Sequence, residues 1–140
     1  MEIRQPGGAT GYRITDGIPG APAFVYISDN ELGNADGYSS APGWRDELVS
    51  FVRGASLLVH DAMYTADEYE RHRGWGHSRY EDVVDLALDA GVQRLVLFHH
   101  HPERSDTAVG EQVAACQNRV RERGAHLEVL AAAEGATLTV

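Results

Sequence analysis

The feature that most limits the possible folds of this chain is an alternation of short apolar runs with segments of helical periodicity. Residues 23–28, 56–59 and 95–98 are apolar and short enough to be buried strands. Between and after them, residues 44–53, 78–90 and 106–123 have the spacing of helices, and Gly91 and Gly124 follow the last two. Strands that alternate with helices predict an α/β fold with a largely parallel central sheet.

The two ends of the chain are expected to add strands to this core. Residues 11–14 should pair with 23–28, and residues 126–130 and 137–140 should form a terminal pair. The polar segment 30–42 is typical of a surface loop. At 140 residues with 43% hydrophobic content, the whole chain, 1–140, is expected to form one domain, with the lone Cys116 packed in its core.

The charge balance restricts the partners that this chain should bind. With 12 basic and 21 acidic residues, the net charge is -9, which argues against nucleic acid and membranes as partners. A negatively charged substrate would need a local cation, such as a metal ion or the arginines at positions 71, 73 and 79. No apolar run approaches the roughly 18 residues of a membrane span and no leader pattern is visible, so the expected location is the cytoplasm.

Residues that can bind metal follow three of the apolar runs. Asp29 ends the first, His60 and Asp61 end the second, and residues 99–101, all histidine, end the third. The carboxyl ends of parallel strands meet in one crevice, so these groups can converge. Imidazole and carboxylate suit zinc, iron or manganese, and such a site generates hydroxide near neutral pH and stabilises charge on a phosphoryl or carbonyl group.

Each of these residues also has a simpler interpretation. Asp29 could begin a turn, and His60 or Asp61 could be a buried hydrogen-bonding group. Successive residues of an extended segment point to alternate faces, so at most two of the histidines at 99–101 can share a site. His77 stands between a Gly-Trp-Gly run and a predicted helix, and it could line a pocket or belong to an ordinary loop.

Five ordered segments resemble the metallo-β-lactamase superfamily, especially its ribonuclease Z-like and phosphodiesterase-like branch. They are residues 6–14, the Tyr-Ile-Ser-Asp run that ends at Asp29, the His-Asp-Ala-Met-Tyr run that begins at His60, the Gly-His-Ser run around His77, and the Leu-Val-Leu-Phe-His run that ends at His99. The resemblance implies an αββα sandwich, of which this chain would be the carboxy-terminal half, a mixed sheet with helices. It also implies hydrolysis of a phosphodiester or related ester by metal-bound hydroxide.

The resemblance assigns roles to four residues. Asp29 would bridge two metal ions, zinc or else manganese or iron, and His99 would ligate one of them. His77 and Asp61 would be catalytic, with Asp61 holding His77 as it donates a hydrogen bond or proton to the reacting phosphate. We therefore expect Asp29, His77 and His99 to lie together, Asp61 to bind His77, and His60 to face away from the site.

Two departures from the family pattern affect the expected activity. The His-x-His-x-Asp-His motif that supplies most ligands is absent from the 140 residues, and Gln5 stands where the family has its middle histidine. The isolated chain is thus expected to be weak or inactive without a complementary amino-terminal half, or to self-associate through the surface that this half would cover. The alternative function is a non-catalytic binding or oligomerisation module derived from the fold.

Overall fold

A computed structural model describes residues 1–33 and 42–140, and its centre is a five-stranded sheet. The strand order is β3 (Tyr12–Ile14), β4 (Phe24–Ile27), β5 (Leu57–Asp61), β6 (Arg94–Phe98) and β7 (Glu128–Ala131). β3 is antiparallel to β4, whereas β4 to β7 are parallel. A separate hairpin joins β1 (Glu2–Ile3) to β2 (Ala9–Thr10). The predicted mixed sheet with a parallel centre is confirmed.

Within residues 1–33 and 42–140, four helices connect the strands. They are α1 (Trp44–Val52), α2 (Ala66–Tyr69), α3 (Tyr80–Asp89) and α4 (Asp106–Glu122). Ser105 is the N-cap residue of α4, and its hydroxyl accepts a hydrogen bond from the Ala108 amide. Gly91 and Gly124 follow α3 and α4 with φ angles of 64° and 61°, a conformation that favours glycine and ends a helix. None of the helices in the described residues is long and apolar enough to cross a membrane.

The main core lies on one face of the sheet. Three successive crossovers step across the sheet in the same direction, and crossovers of one hand place their helices on the same side. The apolar faces of α1, α3 and α4 accordingly share one cluster with alternate strand residues. Cys116 belongs to this cluster, as predicted. The strand residues of the cluster that are 0% exposed are Val25, Ile27, Leu58, Leu95 and Leu97.

The opposite face of the sheet is apolar but only partly covered. Leu57 and Val96 on this face are each 3% exposed, whereas Tyr26, Val59 and Phe98 are half-buried. The Tyr26 and Phe98 rings meet edge to face at 5.8 Å. At the β3 edge, Tyr12 and Ile14 are each 56% exposed. This second face, formed by residues of β3 to β7 that point away from the helices, is called the open face below.

The predicted strand at 137–140 is wrong. This segment has no strand pairing among the described residues, and Leu138 and Val140 remain 41% and 45% exposed. It touches β6 through the Arg94 guanidinium, which donates to the Thr139 carbonyl. An alternating pattern stabilises a strand only when one face is buried, and this segment buries neither.

The predicted surface loop at 30–42 is wrong at its start. Asn30 and Glu31 are 0% exposed, because their polar groups are hydrogen-bonded inside the fold. Residues 34–41 of that prediction lie outside the described residues.

Candidate functional site

Asp29, His77 and His99 lie together at the carboxyl edge of the parallel strands. Asp29 follows β4, His99 follows β6, and His77 precedes α3. Each side chain offers one ligand atom, and these atoms all lie within 4.8 Å of one another. The His99 Nε2 atom is 4.0 Å from Asp29 Oδ1. The predicted convergence of these three residues is confirmed, and both Asp29 and His99 keep about a third of their side-chain surface exposed, at 35% and 36%.

His99 has an unusual backbone conformation. Its φ angle of 58° is the one positive value at a non-glycine residue in the described part of the chain. The left-handed region is costly for a residue with a Cβ, and such residues persist where surrounding structure enforces them. The turn redirects the chain directly after β6, so that His99 joins the cluster with Asp29. The His101 ring lies instead near the Tyr64 ring, with the two ring centroids 6.4 Å apart.

Asp61 holds His77 from behind. The His77 Nδ1–H group donates to Asp61 Oδ2 over 2.7 Å, as predicted. The Asp61 carboxylate is 0% exposed and also accepts hydrogen bonds from the amides of Asn30 and Met63. Because Nδ1 is occupied by this bond, Nε2 is the ring nitrogen available to a ligand or substrate.

The environment favours the charged form of His77. Burial alone would lower the pKa of His77, but the hydrogen bond and negative charge of Asp61 outweigh that effect and raise the pKa above its ordinary value. The charges of Asp29 and Glu31 act in the same direction. A protonated His77 at this position can donate to an anionic group.

His60 is turned away from the site. It is 0% exposed, its Nδ1–H donates to the Asp61 carbonyl at 2.6 Å, and its Nε2 accepts from the Asn30 amide group at 3.2 Å. Burial lowers the pKa of His60 to about 4, so the ring is neutral at pH 7. As expected, His60 faces away from the site as a buried hydrogen-bonding group, and Asp61 is the neighbour of His77.

Glu31 is a buried residue of the site region that sequence reasoning missed. Its carboxylate is 0% exposed and accepts hydrogen bonds from the Tyr69 hydroxyl at 2.6 Å and from the amides of Gly74 and Gly76, each at 2.9 Å. These bonds fix the loop that leads into His77. The one signal in the sequence was its place two residues after Asp29, within a segment interpreted as a loop.

Ser78 has a different role from the one expected. It was predicted to open the following helix, but Arg79 occupies the N-cap position of α3. The Ser78 hydroxyl instead donates to the Asn30 carbonyl at 2.5 Å and accepts from the Leu32 amide. This link clamps the segment after β4 to the segment that carries His77.

Gln5 also reaches this loop. Its side-chain oxygen is buried without a hydrogen-bond partner in the described part of the chain. A Cβ atom added to Gly76 would lie 1.7 Å from that oxygen, and Gly76 has a φ angle of 90°. Gly76 is therefore required both by its conformation and by the close approach of Gln5, which places position 5 beside His77.

Two of the arginines proposed as local cations are already paired. Arg73 binds Glu70 and Arg79 binds Asp82, with N to O distances of 2.7 and 2.6 Å. Arg71 is exposed and forms no ion pair among residues 1–33 and 42–140. Positive charge at the cluster of Asp29, His77 and His99 would therefore come from a bound metal ion or from protonated His77.

Comparison with known sequences finds one family and a set of named relatives. The family described as the beta-lactamase superfamily domain matches residues 1–100. The chain is 41% identical to ribonuclease Z of Lactococcus lactis subsp. cremoris (strain MG1363), over 73% of this chain and 39% of the relative. It is 37% identical to ribonuclease Z of Sulfurisphaera tokodaii, over 50% of this chain and 23% of the relative. The chain spans less than half of the length of these curated relatives.

Solved structures share the fold. The metallo-β-lactamase fold protein YhfI from Bacillus subtilis superposes with a TM-score of 0.70 at 21% identity, covering 99% of this chain and 48% of YhfI. Human tRNase Z, short form, superposes with a TM-score of 0.67 at 17% identity, covering 100% of this chain and 41% of the human protein. The described strands and helices thus correspond to a part of each of these larger folds.

Proposed function

This chain belongs to the metallo-β-lactamase superfamily, in its ribonuclease Z-like branch, and we propose on that basis that it takes part in metal-dependent hydrolysis of phosphodiesters. The observation that carries the proposal is the convergence of Asp29, His77 and His99, with Asp61 behind His77. Clustered imidazole and carboxylate groups at strand ends fit hydrolytic chemistry better than they fit simple packing.

The donor set suits a transition metal. One carboxylate oxygen and imidazole nitrogens are typical ligands of zinc, manganese or iron, and the cluster is partly open to solvent, as a substrate requires. Asp29 and His99 would hold the ion. An ion bound there supplies Lewis acidity and a nucleophile at neutral pH.

The residues of the chain itself would act on the phosphoryl group. Asp61 fixes the His77 ring through Nδ1 and favours its protonated form, so Nε2 can donate a hydrogen bond or proton to the reacting phosphate. Glu31 and Ser78 hold the loop on both sides of this histidine. His77 and Asp61 are the catalytic pair of the proposal, whereas Asp29 and His99 are its metal ligands.

A complementary segment would complete the site. We propose that residues 1–140 are the carboxy-terminal part of an αββα domain and that an amino-terminal half covers the open face. The partly exposed Tyr26, Val59 and Phe98, together with the exposed β3 edge, favour such a cover, because large apolar surfaces mark interfaces. That half would also provide the His-x-His-x-Asp-His motif needed for a second ion. A second copy of this chain is the competing cover.

The phosphodiester substrates of the proposed activity include RNA. The net charge of -9 disfavours non-specific attraction to nucleic acid, but relatives of this chain are named as ribonucleases. A charge argument of this kind describes long-range attraction and does not restrict what a metal site binds locally. The sequence-based expectation against nucleic acid is therefore too broad.

The test measures metal and hydrolysis together. The untagged chain is dialysed, its zinc, manganese and iron are measured by elemental analysis, and hydrolysis of a generic phosphodiester and a short RNA is followed with and without an added amino-terminal half from a ribonuclease Z relative. We expect the half to raise both metal content and turnover. Asp29→Ala should abolish both gains, whereas Asp16→Ala, at an exposed aspartate away from the cluster, should not.

The same experiment separates the alternative function. The open face is the observation that favours a binding or oligomerisation module, because such a module needs the surface but no metal. A metal-free oligomer that gains neither metal nor turnover from the added half would contradict the hydrolase proposal and support the module.

A further inference from the structure

Trp75 is exposed beside the candidate site. Its relative exposure is 61%, which is high for a large aromatic residue. Among the exposed large hydrophobic residues of the described chain, it is the one whose segment also carries a site residue, since His77 is two positions away. The others lie near the β3 edge or at the end of the chain. They are Tyr12, Ile14, Ile18, Leu138 and Val140.

Although exposed, Trp75 is held in place. The Glu31 carboxylate accepts hydrogen bonds from Gly74 and Gly76, the residues on either side of it. The Trp75 amide donates to the His72 carbonyl at 3.1 Å, and the His72 ring meets the indole edge to face at 4.8 Å. A ring that is fixed before binding loses little conformational freedom when a partner stacks on it.

A series of ring contacts joins Trp75 to the metal-ligand cluster. His72 stacks on Tyr64 with centroids 4.7 Å apart and planes 11° apart. Tyr64 meets His77 at 6.0 Å, and His77 meets His99 at 4.8 Å. The indole is therefore linked to the groups proposed to act on the phosphate through His72 and the buried Tyr64. It also stands two residues before His77 in the same loop, which places it next to the candidate site.

We propose that Trp75 is a stacking platform for a nucleobase of the substrate, next to the phosphodiester that is cleaved. This inference rests on the proposed function and adds a base-binding subsite to it. An exposed, fixed indole suits the flat face of a base, and every base can stack without sequence-specific contacts. Arg71, exposed in the same segment and without an ion pair in the described ranges, favours an anionic nucleotide over a neutral aromatic compound.

The first test needs binding alone. Trp44→Phe leaves Trp75 as the single tryptophan, and its fluorescence is titrated with adenosine 5′-monophosphate and with ribose 5-phosphate. We expect saturable quenching by the nucleotide and none by the sugar phosphate. Quenching by neither, or equally by both, would overturn the proposal. Because Trp44 packs against Arg4, Trp75→Phe compared with the unmodified chain gives the same information if Trp44→Phe does not fold.

The second test measures turnover of a short RNA by the assembled enzyme. Trp75→Leu keeps an apolar side chain but removes the aromatic face, so KM should rise about 10-fold, while Trp75→Phe should recover most of the loss. Glu31→Gln, which weakens the anchor of the loop, should raise KM less than Trp75→Leu. Leu138→Ala, at an exposed apolar residue near the end of the chain, is the matched control and should leave KM as it was.

The two tests separate this inference from the proposed function. Hydrolysis with an unchanged KM in Trp75→Leu would refute the platform and leave the hydrolase proposal standing. Selective quenching of Trp75 by the nucleotide in a chain that does not hydrolyse RNA even with the added amino-terminal half would support the subsite and refute the hydrolase.

Discussion

His60 and Asp61 are neighbours in β5, yet they belong to opposite sides of the sheet. His60 shares its side with Ile27 and Leu97, its register partners along the strands, and with the helices. That side is buried, and burial lowers the pKa of His60 to about 4. Asp61 points to the other side, where it holds the partly exposed His77 and raises the pKa of that histidine.

One side of the sheet contributes mainly to stability, and the other carries the groups of the candidate site. The helix-covered side fully buries Val25, Ile27 and Leu97 of the sheet and keeps His60 neutral, so it contributes folding free energy. The other side is incompletely covered and retains charged groups that a substrate can reach. Substitutions on the two sides should consequently change different measurements.

The largest expected effect is on activity, from His77→Ala. Removing a general acid or hydrogen-bond donor should lower kcat in the active assembly by about 100-fold or more. The midpoint of urea unfolding should fall as well, because the His77 side chain is only 13% exposed and is a hydrogen-bond partner of the buried Asp61 carboxylate. The value of kcat is therefore measured under conditions in which the variant is folded. His126→Ala, at an exposed histidine far along the chain, is the matched control and should preserve kcat. Full activity in His77→Ala would remove this histidine from the mechanism.

The next effect is on stability at acidic pH, and it depends on His60. Unfolded His60 binds a proton below about pH 6.5, whereas folded His60 stays neutral down to about pH 4, so the unfolding free energy should fall across this range. The loss amounts to about 3 kcal/mol from the 1.36 kcal/mol that one pKa unit represents. Urea titrations at several pH values measure it, and His60→Leu should flatten the curve. A slope that is unchanged in His60→Leu would assign the pH dependence to other groups.

The third expected effect is on stability, and it compares the same valine substitution on the two faces of the sheet. Val25→Ala opens a cavity beneath the helices and should cost about 2 kcal/mol of unfolding free energy. Val59→Ala removes the same atoms from the half-buried open face and should cost less than about 1 kcal/mol. Urea unfolding of both variants provides the comparison. Equal losses would mean that the open face is packed as well as the core, for instance by a second copy.

The smallest expected effect is a change in the pKa of His77. Asp61→Asn removes the negative charge behind His77 and should lower the pKa of that ring, measured from its NMR signals. The direction is opposite to that at His60, where burial dominates. For stability the signs also oppose each other: the raised pKa of His77 contributes below its unfolded value of about 6.5, and this contribution is lost as pH rises through the folded value. A pKa that stays the same in Asp61→Asn would contradict the role given to that carboxylate.

The amino-acid sequence by itself determined the parts of the molecule that depend on local periodicity. Apolar runs and helical spacing located the five strands of the central sheet and helices α1, α3 and α4, and Gly91 and Gly124 marked helix ends. The convergence of Asp29 with His99 could be predicted because each follows an apolar run, and strand ends meet in this architecture. The alternation at 137–140 led to a wrong strand prediction, since periodicity alone does not reveal whether a face is buried.

Only the tertiary structure decided which polar groups meet. The side to which each of His60 and Asp61 points depends on the register of β5 between its neighbours. The residue pattern alone left both as candidates, and it was the family resemblance that favoured Asp61. The burial of Asn30 and Glu31 depends on Ser78, Tyr69 and the Gly74 amide, which lie 38 to 48 positions away. Such contacts form because the crossovers return the chain to one edge of the sheet. Their hydrogen bonds offset the cost of burying these groups, and no local pattern records them.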